Sequence, residues 1–126
     1  MSAIDVIDRN ALARVLDSVG GDTDFLAELL AAFYEDSPQQ IVAMRTALAS
    51  GDAETLRRAA HSLKSNSANF GALILSQQCK ELEALAKIGA LDGAEALIAA
   101  IDEGYQAARS ALEAIKQSTD PRLPSA

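Results

Sequence analysis

The chain has 126 residues, a formal net charge of −7 and a pI near 4.5, which suits one domain built on one core. It argues against nucleic acid and anionic membrane as partners, because both need a cationic surface. Apolar residues make up 49% and aromatics only 4%, with alanine abundant, a balance that favours helices packed through small side chains over a β-sandwich.

No apolar run approaches the ~20 residues that span a bilayer. No basic segment followed by an apolar block opens the chain, so a cytoplasmic protein is expected. Residues 1–7 read as a loose lead-in whose Ile4, Val6 and Ile7 pack on the body. Asp8 caps a short first helix that turns Leu12, Val15, Leu16 and Val19 inward. Gly20 and Gly21 end it, and Asp22 or Thr23 starts the next. The second helix repeats Leu26, Leu29, Leu30 and Phe33, then Ile41, Met44 and Leu48. Pro38 interrupts that pattern, and should kink the helix or begin a new segment near Ser37, itself an adequate cap. Phe33 and Tyr34 read as core residues.

Gly51-Asp52 is a stop and a restart, and the third helix runs from about Asp52 to Asn69. Gly71 suits the left-handed residue that closes it. A fourth helix packs Leu75, Cys79, Leu82 and Leu85 or Ala86, and ends at Gly89. Cys79 is the lone cysteine and falls on that apolar side, which excludes an internal disulfide and a multi-cysteine metal site. Asp92 should cap a fifth helix, where Ala94, Ile98, Ile101, Tyr105, Ala108, Leu112 and Ile115 recur at spacings of three and four. Short connections between long amphipathic helices imply antiparallel neighbours. The fold class expected is all-α: an antiparallel up-and-down four-helix bundle with a short extra N-terminal helix, over residues 1–117. Residues 118–126, with Pro121 and Pro124, read as a flexible tail.

The third helix carries the only histidine. Leu56, Ala60, Leu63, Ser67 and Phe70 form its apolar stripe, and His61 projects outward, roughly 140° from the centre of that stripe. Lys64 follows one turn on, Arg57 precedes by one turn with Arg58 beside it, and Ser65 and Ala68 are small. The imidazole should therefore stand in water, with cations near it and nothing bulky above it. On spacing alone, an outward histidine is more often an idle surface residue than a site, and a charge cluster more often a solvated face. Yet these cations stand on an otherwise acidic chain, which makes a local anion site credible.

Other chemistries find no support. Ser62 and Ser65 lack the orienting carboxylate and oxyanion hole of a hydrolase. One histidine and one cysteine on separate helices do not make a zinc site, and no Gly-rich loop precedes a Lys-Ser or Lys-Thr pair to cradle ATP. One exposed imidazole can act as a nucleophile toward an activated phosphoryl group.

The run His61-Ser62-Leu63-Lys64-Ser65, followed by Ala68-Asn69-Phe70-Gly71, resembles the signature of histidine-containing phosphotransfer (HPt) domains of two-component phosphorelays. That signature reads His-x-Leu-Lys-Gly, then small residues, then Gly. Gly20-Gly21-Asp22, Phe25-Leu26, Leu29-Leu30, Phe33 and Gly51-Asp52 extend the likeness upstream, and Leu75, Cys79 and Leu82-Glu83 downstream. One departure stands out: Ser65 takes the place of the family's glycine beside the histidine, which bears on partner choice more than on activity.

The resemblance implies that His61 accepts a phosphoryl group from a receiver-domain aspartate and passes it to another. It implies that Lys64 offsets the phosphoryl charge, with Arg57, Ser65 and Ala68 on the binding surface and Gly71 structural. It implies a carrier without kinase activity of its own and a cytoplasmic monomer with no cofactor. The magnesium ion is then brought by a response-regulator receiver, and a hybrid histidine kinase is a further partner. The receiver is expected over the small residues around His61, with exposed apolar residues of the first helix completing the contact. Glu83 or Lys87 of the fourth helix is placed near the phosphoryl group. A receiver-docking adaptor without transfer activity is the alternative.

Overall fold

A computed structural model describes residues 6–116, all but short turns of which are helical. Five helices follow in order: α1 (Arg9–Ser18), α2 (Thr23–Ser50), α3 (Ala53–Asn69), α4 (Leu73–Lys87) and α5 (Ala94–Lys116). The four long ones form a ring in which α2 packs on α3, α3 on α4, α4 on α5 and α5 back on α2, while α1 lies against α2 and α3. This is the all-α four-helix bundle with a short additional N-terminal helix. The expected tail at 118–126, and Ile4 of the lead-in, lie outside the described residues.

Aspartates start three of the helices. The Asp8 carboxylate accepts from the Asn10 amide, Asp22 from the amides of Asp24 and Phe25, and Asp52 from that of Thr55, each satisfying donors a first turn leaves open. Glycines in the left-handed region end the elements, among them Gly51 after α2 and Gly71 after α3. Gly71 has a second reason to be glycine. A Cβ there would run into the Asp8 backbone carbonyl, and the Gly71 carbonyl accepts the Asp8 amide at 2.7 Å. Ile7, next to it, is fully buried.

The apolar stripes meet in one core, with Leu12, Leu30, Met44, Leu56, Leu63, Leu82, Ile98 and Tyr105 among its buried side chains. Phe33 is its aromatic centre, with ring centroids 5.1 Å from Phe70 and 5.8 Å from Tyr105. Tyr34 is half-buried rather than core. Its hydroxyl donates to Glu113, and Arg109 lies over its ring. Burial and the Glu113 carboxylate both push its phenol well above the usual tyrosine value.

Two local expectations give way. Pro38 does not begin a new segment, since α2 runs through it as one helix of 28 residues. Proline lacks the amide that would reach the carbonyl four residues back, at Tyr34. The Tyr105 hydroxyl of α5 donates to that carbonyl instead, at 3.4 Å. Ser37 is thus no cap but a buried helix residue whose hydroxyl has no partner among the described residues. Asp92 does not cap α5 either; the helix begins two residues later, after Gly93 at φ +82°, and the Ala94 amide is taken by the Leu91 carbonyl.

Candidate functional site

Leu56, Ala60, Leu63, Ser67 and Phe70 are all buried on the inner face of α3, and that fixes where the rest of the helix points. His61 stands on the outer face with 56% of its side chain exposed. Ser65, one turn on, is exposed too. Its small side chain leaves the approach to the imidazole open. Ala68 is half-buried and faces α1, sharing a shallow groove with Ala11, Arg14 and Val15.

The imidazole does not stand alone in water. Glu83, from α4, brings its carboxylate between His61 and Lys64: Oε2 lies 2.7 Å from His61 Nδ1, and Oε1 2.5 Å from Lys64 Nζ. Glu83 is mostly covered, at 17% exposure. Lys64 first, then the His61 contact, hold the Glu83 carboxyl below its usual value against the opposing effect of burial. It is therefore ionised at neutral pH, and an ionised carboxylate only accepts hydrogen bonds. The neutral imidazole must then carry its proton on Nδ1. Nε2 keeps its lone pair, on the ring of a side chain that is more than half exposed.

The cations expected around His61 are present but paired. Lys64 is tied to Glu83, and Arg57 is held by Glu54 through two hydrogen bonds, Nε to Oε2 at 3.0 Å and Nη2 to Oε1 at 2.6 Å. Arg58 also approaches Glu54, at 3.8 Å. Both arginines point to a carboxylate one turn earlier on the same helix, a pairing that i,i+3 and i,i+4 spacing makes easy. Glu83 was visible in the sequence only as a weak candidate, because its contact crosses between helices and no periodicity on α4 announces it.

The first helix also differs from expectation. It offers no large exposed apolar side chain; among the described residues those are Phe25, Val42, Leu73, Ile74 and Ile88. Arg14, Asp17 and Ser18 face outward on α1 instead, with Val15 half-buried.

Two nucleophilic side chains of α4 near the site, Cys79 and Ser76, are not free. Cys79 is completely buried, and burial pushes its thiol up to about 12, so it has no thiolate to offer. The Ser76 hydroxyl donates to the Lys64 carbonyl at 3.0 Å, which also ties α4 to α3 beside the site. Among the described residues no three His, Cys, Asp or Glu side chains come together as a metal site. No helix there is long and apolar enough to cross a membrane.

A family model described as the Hpt domain matches residues 28–111. Among solved structures, the crystal structure of histidine-containing phosphotransfer protein B from Pseudomonas aeruginosa PAO1 is similar, with a TM-score of 0.81 and 35% sequence identity. The match covers 89% of this chain and 95% of that one. The search of curated proteins found no match.

Proposed function

The chain belongs to the Hpt domain family, and from that premise we propose that it is a phosphoryl carrier, taking the group onto His61 from a receiver aspartate and handing it to another. The observation that carries this reading is the His61–Glu83 contact, which commits Nδ1 and leaves Nε2 open on the surface.

In the forward step the Nε2 lone pair attacks phosphorus, an Nε2–P bond forms, and the P–O bond to the receiver aspartate breaks with its electron pair returning to that carboxylate. No proton need leave the ring, because the one on Nδ1 is held by Glu83. Lys64, one turn away, offers a cation to the new phosphoryl oxygens once it swings from Glu83. The exposed Ser65 and the half-buried Ala68 leave room for the partner, and Arg57 adds positive potential from one turn before the acceptor. The receiver supplies the magnesium ion, so the carrier needs no cofactor, and a hybrid histidine kinase is the expected source of phosphate upstream. The protein works as a cytoplasmic monomer and is not itself a kinase.

Incubation with a phosphorylated receiver domain tests the reading. Label should move to the parent chain in an acid-labile, base-stable form and not to His61→Gln. The exchange leaves an exposed site, so the variant should unfold within about 0.5 kcal/mol of the parent. Continued labelling of the folded variant would remove His61 as acceptor, and binding without transfer by the parent would make the chain an adaptor.

A further inference from the structure

Beside His61, though not walled by it, α3 and α4 leave an open groove of about 690 Å³. Arg57 and Lys64 stand along it on α3, and Lys80 and Lys87 on α4. Each pair is about two helical turns apart, roughly 10.5 Å along its own axis. The two helices run antiparallel, as the contacts of Lys64 with Ser76 and of His61 with Glu83 require. Lys64 and Lys80 therefore share one end of the groove, and Arg57 and Lys87 the other. Between the lysines the α4 wall is Ala84, which is exposed and too small to cover the floor.

Two carboxylates line the groove as well: Glu54 is held by Arg57, and Glu83 by Lys64. Lys80 and Lys87 are exposed and have no ionic partner among the described residues. Lys87 sits in the last turn of α4, where a cation offsets the partial negative charge of the helix end; that account does not extend to Lys80. The groove is thus left positive on a chain of net charge −7, and the excess lies at both of its ends. A single phosphate can reach one end only. A chain of linked phosphates carries anionic oxygens along its length and meets both ends at once, its second contact made at high effective concentration. Arginine grips phosphate as a fork, and lysine as a mobile point charge. The walls hold no aromatic ring for a base to stack on, so recognition falls on the phosphates.

We propose that this groove binds a linear oligophosphate, free or as the tail of a nucleotide, and that the bound anion slows transfer by holding Lys64. The binding stands apart from the carrier reading above; its effect on transfer rests on that reading. Lys64 joins the two, since it lines the groove and is also the cation proposed for the new phosphoryl group. An anion seated between Lys64 and Lys80 competes with Glu83 for the Lys64 ammonium. It also adds negative charge beside His61, against which an incoming phosphoryl group must work. Occupancy of the groove is therefore a brake on the histidine.

Calorimetric titration of the parent with inorganic tripolyphosphate, at low salt and without magnesium, tests the site, with orthophosphate and ATP as parallel probes. Tripolyphosphate should bind about tenfold or more tighter than orthophosphate and weaken as salt is raised. ATP equal to tripolyphosphate would identify the phosphate chain alone as the ligand, and ATP tighter would identify a nucleotide; both keep the site. Lys80→Gln/Lys87→Gln should weaken tripolyphosphate binding by about tenfold or more. Arg45→Gln/Lys116→Gln removes the same charge on α2 and α5, away from the groove, and should change it by less than about twofold. Glu83→Gln should bind more tightly, because Lys64 is then released. Equal affinity for orthophosphate and tripolyphosphate, or equal losses from the two double variants, would overturn the site. Saturating tripolyphosphate should slow transfer from a phosphorylated receiver to the parent, and slow Lys80→Gln/Lys87→Gln less. Each rate is taken relative to the same chain without the anion, with free magnesium held constant. Equal slowing of both would place the effect on the receiver and overturn the brake. A parent that binds tripolyphosphate and never takes up phosphate keeps the site and removes the carrier reading. Circular dichroism checks the fold of each variant.

Discussion

Glu83 touches two side chains to which the proposed transfer gives different roles. It fixes the His61 proton on Nδ1, which favours attack by Nε2, and it occupies the Lys64 ammonium, which the phosphoryl oxygens then compete for. Lys64 makes no bond to phosphorus, so its loss should slow transfer and not abolish it. One charge-assisted hydrogen bond is worth roughly 1.5–3 kcal/mol, a loss on the order of ten- to a hundredfold. Initial rates from a labelled receiver should place Lys64→Arg between the parent and Lys64→Ala, and Lys64→Glu lowest. Glu83→Gln should also slow transfer, through a less strictly held imidazole. The double variant Lys64→Ala/Glu83→Gln should lose less than the product of the two single effects, because both act through one carboxylate. Parental rates for Lys64→Ala and Lys64→Glu alike would leave Lys64 an ordinary helix residue.

At the scale of the elements, α3 carries the argument, because its buried stripe is what aims His61 outward. Leu63 is fully buried two residues from His61. Leu63→Ala should cost about 2–5 kcal/mol through lost burial and the cavity it leaves, and any loss of transfer should follow the unfolded fraction. An unchanged melting temperature would mean that α3 is turned differently, and His61 with it. This helix was legible in the sequence since its periodicity, its Asp52 start and its Gly71 stop all belong to one short stretch. What could not be read there crosses between elements. The Glu83 bridge needs the α3–α4 register, and the carbonyl that Pro38 leaves open in α2 takes its partner from α5. The Arg57 pairing was within reach, since Glu54 stands three residues before it, but proximity to the histidine drew the reading elsewhere.

Over the whole molecule, the charge balance sets the response to acid. Glu83, Asp52 and Glu54 are all held below the usual carboxylate values, chiefly by hydrogen bonds from Lys64, Thr55 and Arg57 respectively. A carboxyl whose folded value lies below its unfolded one stabilises the fold fully above the unfolded value, and that contribution fades as pH falls through the folded value. Stability should therefore hold from neutral pH down to about 4.5, helped a little as the net charge relaxes toward zero, and fall below that. Urea unfolding across pH measures it, and Glu83→Gln should show a shallower acid limb than the parent. A decline that starts between about pH 7 and 6 would assign the response to groups other than these carboxylates.

The bond from the Asp8 amide to the Gly71 carbonyl has a mechanical meaning. It joins the lead-in to the turn that closes the helix bearing the histidine, across half the chain, with Ile7 wedged into the core beside it. Tension on whatever precedes Ile7 is met by that wedge and that bond before it reaches α1. The strain is delivered just past the end of α3, at Gly71, nearly three turns from His61 at about 3.6 residues per turn. Gly71 has no room for a side chain against Asp8, so the two backbones meet directly. The residues that lead into α1 and the turn after the His61 helix are thus joined directly, with no other element between them.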